Sequence, residues 1–168
     1  LNQYLILSGT NRSDSNTRHI ARYYQQVLAQ KGVEAQLVLL EGMNVQERTP
    51  ELEKLEAEWL IPSNRFIIIA PEYNGSFPGV LKAFIDQTNI KKVWWGKRAL
   101  LTGVSTGRAG NLRGMEHLTG VLNYLKVVVH PNKLPISVVD RLLDEQKVVV
   151  DPATQQAIEH QIEEFLTF

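Results

Sequence analysis

The chain has 168 residues, 43% of them apolar and 21% charged, enough to bury one sizeable core in a single domain over 1–168. Lys plus Arg and Asp plus Glu number 18 each, so no overall field steers the chain toward nucleic acid or an anionic membrane. With no Cys it has no disulfide, thiolate nucleophile or zinc–thiolate site, and a cytoplasmic setting is expected.

Apolar runs such as Phe66 to Pro71 are far shorter than the roughly 20 residues of a membrane helix. No charged-then-apolar leader pattern starts at Leu1. In chain order, "QYLILS" (Gln3 to Ser8) predicts a strand, and Ile20, Tyr23, Tyr24, Val27 and Leu28 predict a helix that stops at Gly32. "AQLVLL" (Ala35 to Leu40) is a second strand. Leu52, Leu55, Trp59 and Leu60 mark a helix opened by Pro50. "RFIIIA" (Arg65 to Ala70) is apolar without alternation, as in a strand covered on both faces, and "PGVLKAFID" (Pro78 to Asp86) follows as a helix. "RALLTGVS" (Arg98 to Ser105) gives a fourth strand, with Leu112, Met115, Leu118, Leu122 and Leu125 striping the helix after it. "KVVVHP" (Lys126 to Pro131) gives a fifth strand. Asn132 to Val150 is expected to be irregular, with Val148 to Val150 as an edge strand or hairpin arm, before a helix from Pro152 striped by Ile158, Ile162, Phe165 and Leu166.

Strands that alternate with helices and are apolar throughout imply a parallel sheet with helices on both faces. In such sheets ligands bind beyond the carboxyl ends of the strands. That selects Ser8 to Thr17, Pro71 to Pro78 and Ser105 to Gly114. The first, "SGTNRSDSNT", delivers hydroxyls, amides and Arg12 to a helix start, the chemistry of an anion site fit for a phosphate. A single cap among Ser13, Asp14, Ser15 and Asn16 would leave Arg12 without a role. The glycine triplet of a dinucleotide fold and the Gly-Lys-Ser/Thr of a P-loop are both missing. In the second, "PEYNGSFPG", two prolines restrict a turn around Tyr73, and Gly75 can take a positive φ, which suits a flat ring.

"GTNRSDSNT" followed by "PEYNGSFPGVLKAFID" resembles the NAD(P)H-dependent FMN reductase family of the flavodoxin-like superfamily, which includes quinone, azo-dye and chromate reductases. The resemblance runs over nearly the whole chain. It implies a three-layer α/β sandwich whose five parallel strands lie in the order 2-1-3-4-5. It implies that Thr10, Arg12, Ser15, Asn16 and Thr17 grip the FMN phosphate, and that Pro71, Glu72, Tyr73, Asn74 and Gly75 lie beside the ribityl chain and ring. Ser105, Thr106, Gly107 and Gly110 would close over the ring. Hydride would pass from NADPH or NADH to flavin N5 and then to a small-molecule acceptor: a flavin, quinone, azo compound or metal oxyanion. A homodimer or homotetramer is implied as well. Two positions depart from the family pattern: Gln87-Thr88-Asn89 stands where many members carry an aromatic residue, and Arg108 interrupts a small, glycine-rich loop.

Redox chemistry carried by a cofactor needs no general base. His19, His117, His130 and His160 are read as surface or structural groups without carboxylate partners, and Glu72 as a carboxylate that caps or pairs locally; no metal is expected. "KKVWWGKR" (Lys91 to Arg98) is read as packing rather than nucleic-acid stacking, and "EKLEAE" (Glu53 to Glu58) as a charged helical face. The alternative reading is a non-enzymatic, flavodoxin-like electron carrier, against which Arg12 and the balanced charge speak.

Overall fold

A computed structural model describes residues 3–168; Leu1, where the leader reading falls, and Asn2 lie outside the described residues. The chain runs through β1 (Tyr4–Ser8), α1 (Asn16–Gln30), β2 (Ala35–Leu39), α2 (Pro50–Leu55), a π-helical extension of α2 (Glu56–Leu60), β3 (Arg65–Pro71), α3 (Gly79–Gln87) and α4 (Ile90–Val93). It continues with β4 (Arg98–Val104), α5 (Leu112–Tyr124), β5 (Val128–Val129), β6 (Leu134–Ile136), a 3-10 turn (Val139–Arg141) and α6 (Pro152–Thr167). The sheet order is β2-β1-β3-β4-β5 with every pairing parallel, the 2-1-3-4-5 order expected.

Strand residues of alternate parity feed two cores. Leu5, Leu7, Phe66, Ile68 and Leu101 face Leu81 and Phe84 of α3 and Met115, Leu118 and Leu122 of α5. Ile6, Ile67, Ile69 and Leu100 face Ile20, Tyr24 and Val27 of α1 and Ile158, Ile162 and Phe165 of α6. A sheet buried on both faces needs no polar alternation, which is why its strands read as continuous apolar runs. Two of the three prolines expected to open helices do so: Pro50 follows the cap Thr49, whose hydroxyl accepts from Leu52 N–H, and Pro152 follows the cap Asp151, whereas Pro78 is extended and caps α3, which starts at Gly79.

The fifth strand departs from expectation. Only Val128 and Val129 of the run from Lys126 to Pro131 form it, because Lys126 is left-handed (φ 59°) and Pro131 has no N–H to donate. His130 N–H still reaches Ala99 O at 2.8 Å. The chain then returns to β4 as β6, pairing with Thr102–Val104 from within the segment read as irregular. Val149 bridges Leu143 in antiparallel fashion, so 148–150 is a hairpin arm.

Of the side-chain readings, one changes and two are placed. Trp94 is buried against Phe66 (centroids 5.0 Å apart), as the packing reading expects, while Trp95 is 40% exposed, with the ammonium groups of Lys126 and of Lys91 on α4 3.8 and 5.3 Å from its ring. Within the charged helical face Glu56 is buried, held by Arg48 at 3.0 Å and by Asn89 N–H at 2.9 Å. The Gln87-Thr88-Asn89 departure lies at the carboxyl end of α3, where Thr88 receives the Trp94 indole N–H (2.8 Å) and Asn89 caps α4.

Candidate functional site

Because β1 lies between β2 and β3, the connections leaving β1 and β3 diverge and open a crevice at their carboxyl ends. Beyond β1, Asp14 takes a left-handed turn (φ 48°) that brings Ser15 to cap α1, its Oγ accepting from Arg18 N–H at 3.1 Å. Asn16 and Thr17 thus begin the helix, where backbone N–H groups have no partner four residues back. Arg18 is neutralised by Asp14 (2.7 Å) and Glu41 (3.0 Å), and His19 Nε2 also meets Asp14 at 2.7 Å. The reading of the histidines as lacking carboxylate partners is therefore corrected here, and again at His160, which meets Glu164 at 3.3 Å. The hydrogen bond from His19, with the charges of His19 and Arg18, outweighs burial and holds the Asp14 carboxyl below its usual range. Arg12 differs from Arg18: it is exposed and forms no ion pair among the described residues, and its guanidinium lies 4.2 Å from the Tyr73 ring centre.

Beyond β3, Glu72 N–H donates to Val104 O (2.9 Å), and Tyr73 and Ser76 exchange backbone hydrogen bonds of 2.8 and 3.2 Å. Between them Asn74 (φ 51°) and Gly75 (φ 78°) are both left-handed, as a two-residue Asn-Gly hairpin turn requires. The positive φ expected of Gly75 is present. The side chain of Glu72 neither caps nor pairs among the described residues, contrary to expectation. Beyond β4, the Ser105 hydroxyl donates to Gly107 O (2.9 Å) and accepts from Gly110 N–H (3.0 Å), so it is consumed in closing its own loop.

Two features went unread in the sequence. Asn111, fully buried at φ 60°, donates from Nδ2 to Ala70 O (3.0 Å) and Pro71 O (2.9 Å), tying the loop after β4 to the end of β3. The Gly110-Asn111 pair ahead of an apolar helical stripe is a turn signal that could have found it. Val138 sits at φ 45°, a strained conformation for a β-branched residue, with its N–H on Gly107 O (3.0 Å). Its neighbour Val139 walls the cleft; nothing in the sequence marks either valine.

The cleft measures about 310 Å³ and is lined by residues 12–17, 71–73, 104–106 and 139. It brings together Arg12, Ser15, Asn16, Thr17, Pro71, Glu72, Tyr73, Ser105 and Thr106; Thr10, Asn74, Gly75, Gly107 and Gly110 do not line it. A larger concavity of about 1120 Å³ at the opposite end of the sheet has Glu34 and Glu58 as its charged lining residues, so it offers no cation to a phosphate. The smaller cleft has an uncompensated guanidinium, free N–H groups of a helix start and apolar walls from Val104 and Val139, a donor set that fits a phosphate joined to a planar body.

Known proteins resemble the chain in sequence or in fold. A 2-hydroxy-1,4-benzoquinone reductase from Burkholderia sp is 35% identical over 83 residues, 48% of this chain and 45% of that protein. An NAD(P)H-dependent FMN reductase from Pseudomonas aeruginosa is 32% identical over 119 residues, 68% of this chain and 63% of that protein. The chain thus matches from under half to under two thirds of the length of these relatives. The solved FerB, a flavoenzyme NAD(P)H:(acceptor) oxidoreductase from Paracoccus denitrificans, shares the fold with a TM-score of 0.80 over 99% of this chain and 96% of that one, at 22% identity. The family model for NADPH-dependent FMN reductase matches residues 3–139, which include all three loops of the cleft, and the chain belongs to that family.

Proposed function

We propose that the cleft binds FMN and that the protein transfers a hydride from NADPH or NADH, by way of that flavin, to a small-molecule acceptor. When bound, FMN supplies the two-electron chemistry, taking hydride at ring N5 and giving it up to the acceptor. Arg12 carries the reading: unlike Arg18 in the first turn of α1, it is left without a carboxylate, and it stands beside the start of that helix. Ser15 has an O–H to give the phosphate while its oxygen stays on the helix cap, and Asn16 and Thr17 add backbone N–H groups. Pro71 and Glu72 flank the planar body on one side, with Thr106 on the other. Thr10, Asn74, Gly75, Ser105, Gly107 and Gly110 serve by holding these loops. Val104 and Val139 exclude water from the floor.

Quinones and flavins are the acceptor classes we favour, because the relatives are named as quinone and FMN reductases. Azo compounds and metal oxyanions belong to the wider range. We further propose a homodimer or homotetramer, for which the exposed Trp95, Tyr124 and Val128 offer apolar surface. The test is an anaerobic visible spectrum of the protein with FMN, before and after NADPH or NADH. Bleaching of the flavin band faster than in protein-free FMN supports the oxidoreductase. Bound FMN that neither donor bleaches would favour an electron carrier instead.

A further inference from the structure

Tyr73 belongs by sequence to the loop after β3, yet both ends of its side chain engage the loop after β1. Its hydroxyl is hydrogen-bonded to Thr10 Oγ1, and the Arg12 guanidinium lies 4.2 Å from its ring centre. Thr10 is buried, and the same Oγ1 accepts from the backbone N–H of Arg12 at 3.3 Å. The three residues therefore form a closed circuit: Tyr73 hydroxyl to Thr10, Thr10 to the Arg12 backbone, and the Arg12 head back to the Tyr73 ring. An exposed arginine ordinarily samples many rotamers, and each must be given up when it grips an anion. A ring beneath the guanidinium removes much of that freedom in advance. The ring is itself fixed in direction by the Asn74-Gly75 turn, through the paired backbone hydrogen bonds of Tyr73 and Ser76.

We infer that Tyr73 is a positioning residue for the phosphate end of the cleft, holding Thr10 and Arg12 so that the protein discriminates phosphorylated from unphosphorylated flavin. This rests on the reading of the cleft as a flavin site and assigns Tyr73 to the phosphate rather than to the ring. The consequence is a coupling between two loops whose residues Thr10 and Tyr73 stand 63 positions apart in sequence, so that placing the flavin ring and gripping its phosphate are not independent events.

The experiment is a pair of fluorescence titrations, FMN and riboflavin, on the wild-type protein and on Tyr73→Phe and Tyr73→Leu. Tyr73→Phe keeps the ring and loses the hydroxyl, and should lower the preference for FMN over riboflavin about fivefold. Tyr73→Leu loses the cation–ring contact as well, and should lower it about tenfold or more. Riboflavin affinity should move less than twofold in either variant. In an Arg12→Ala background, Tyr73→Phe should lower the preference less than it does in the wild type, since one of the two groups it holds is gone. The inference is overturned if the preference survives both substitutions, or if FMN and riboflavin weaken together, which would make Tyr73 a ring contact. Should Tyr73→Leu fail to fold, Tyr73→Phe decides alone. A wild-type protein that takes up neither flavin would overturn the flavin reading and this inference with it; one that takes up both, with a preference indifferent to Tyr73, would overturn this inference alone.

Discussion

At the amino ends of β3 and β4, Arg65 and Arg98 both donate to the Phe168 main-chain oxygen, at 3.0 and 2.7 Å, and Lys97 donates to Leu60 O and Ile61 O at 2.9 and 2.8 Å. Burial pulls the Lys97 ammonium down to about 8. At the carboxyl ends, Arg12, Arg108 and Arg113 form no ion pair among the described residues. The same residue types are thus consumed by the fold at one end of the sheet and left open at the other. A lone surface arginine means little energetically. What gives the open end its meaning is the backbone around it: the left-handed residues Asp14, Asn74, Gly75, Gly110, Asn111 and Val138 belong to the loops and turn that frame the cleft, while Gly32, Gly42, Gly96, Lys126 and Lys147 serve turns elsewhere. The strained one among the cleft residues is the β-branched Val138, next to Val139 of the cleft wall, and strain beside a cleft is characteristic of a site.

That contrast can be broken by filling space. A Cβ on Gly103 would stand 2.1 Å from Gly110 O, because the loop after β4 folds back onto its own strand, whereas one on Gly120, on the exposed face of α5, would meet nothing within 4 Å. Gly103→Ala should cost about 3 kcal/mol in urea unfolding. Gly120→Ala should instead gain about 0.5–1 kcal/mol from helix propensity. Equal effects would mean that the cleft loops yield as easily as a helix surface.

A smaller effect sharpens the account of the paired charges. Burial alone would raise the Glu56 carboxyl, but hydrogen bonds from Arg48 and the Asn89 N–H, with the charges of Arg48 and Lys92, hold it below its ordinary value. A depressed carboxylate contributes stability above its unfolded value of about 4.3, and that contribution is lost as pH falls below this through the lower folded value. Denaturant midpoints measured from pH 6 down to 3 should therefore fall less steeply for Glu56→Gln than for the wild type. Parallel slopes would show that the buried pair is not linked to pH.

The layers were legible because parallel strands covered on both faces leave a plain mark, a continuous apolar run such as Arg65 to Ala70. The loops were legible because Asn-Gly and the Ser-Asp-Ser row encode turns and caps locally. The break between β5 and β6 was hidden: Val127 to Val129 reads as strand by composition, and only the left-handed Lys126 and the missing N–H of Pro131 end the ladder there. Partners distant in sequence were hidden too. No local pattern could say that Arg18 would spend its charge on Glu41 while Arg12, six residues earlier, would lie on Tyr73. Val139 gave no sign of itself because a valine that walls a cleft and one that fills a core have the same composition.

The most direct test of the contrast between the two ends is an FMN titration of the wild type, Arg12→Ala and Arg98→Ala by quenching of flavin fluorescence. Arg12→Ala should weaken binding by about 1.5–3 kcal/mol through loss of a charge-assisted hydrogen bond to the phosphate, with the fold intact. Arg98→Ala should leave the dissociation constant unchanged and lower only the unfolding midpoint. An Arg12→Ala protein that binds FMN as tightly as the wild type would contradict the account, because the open cation would then have no anion to hold.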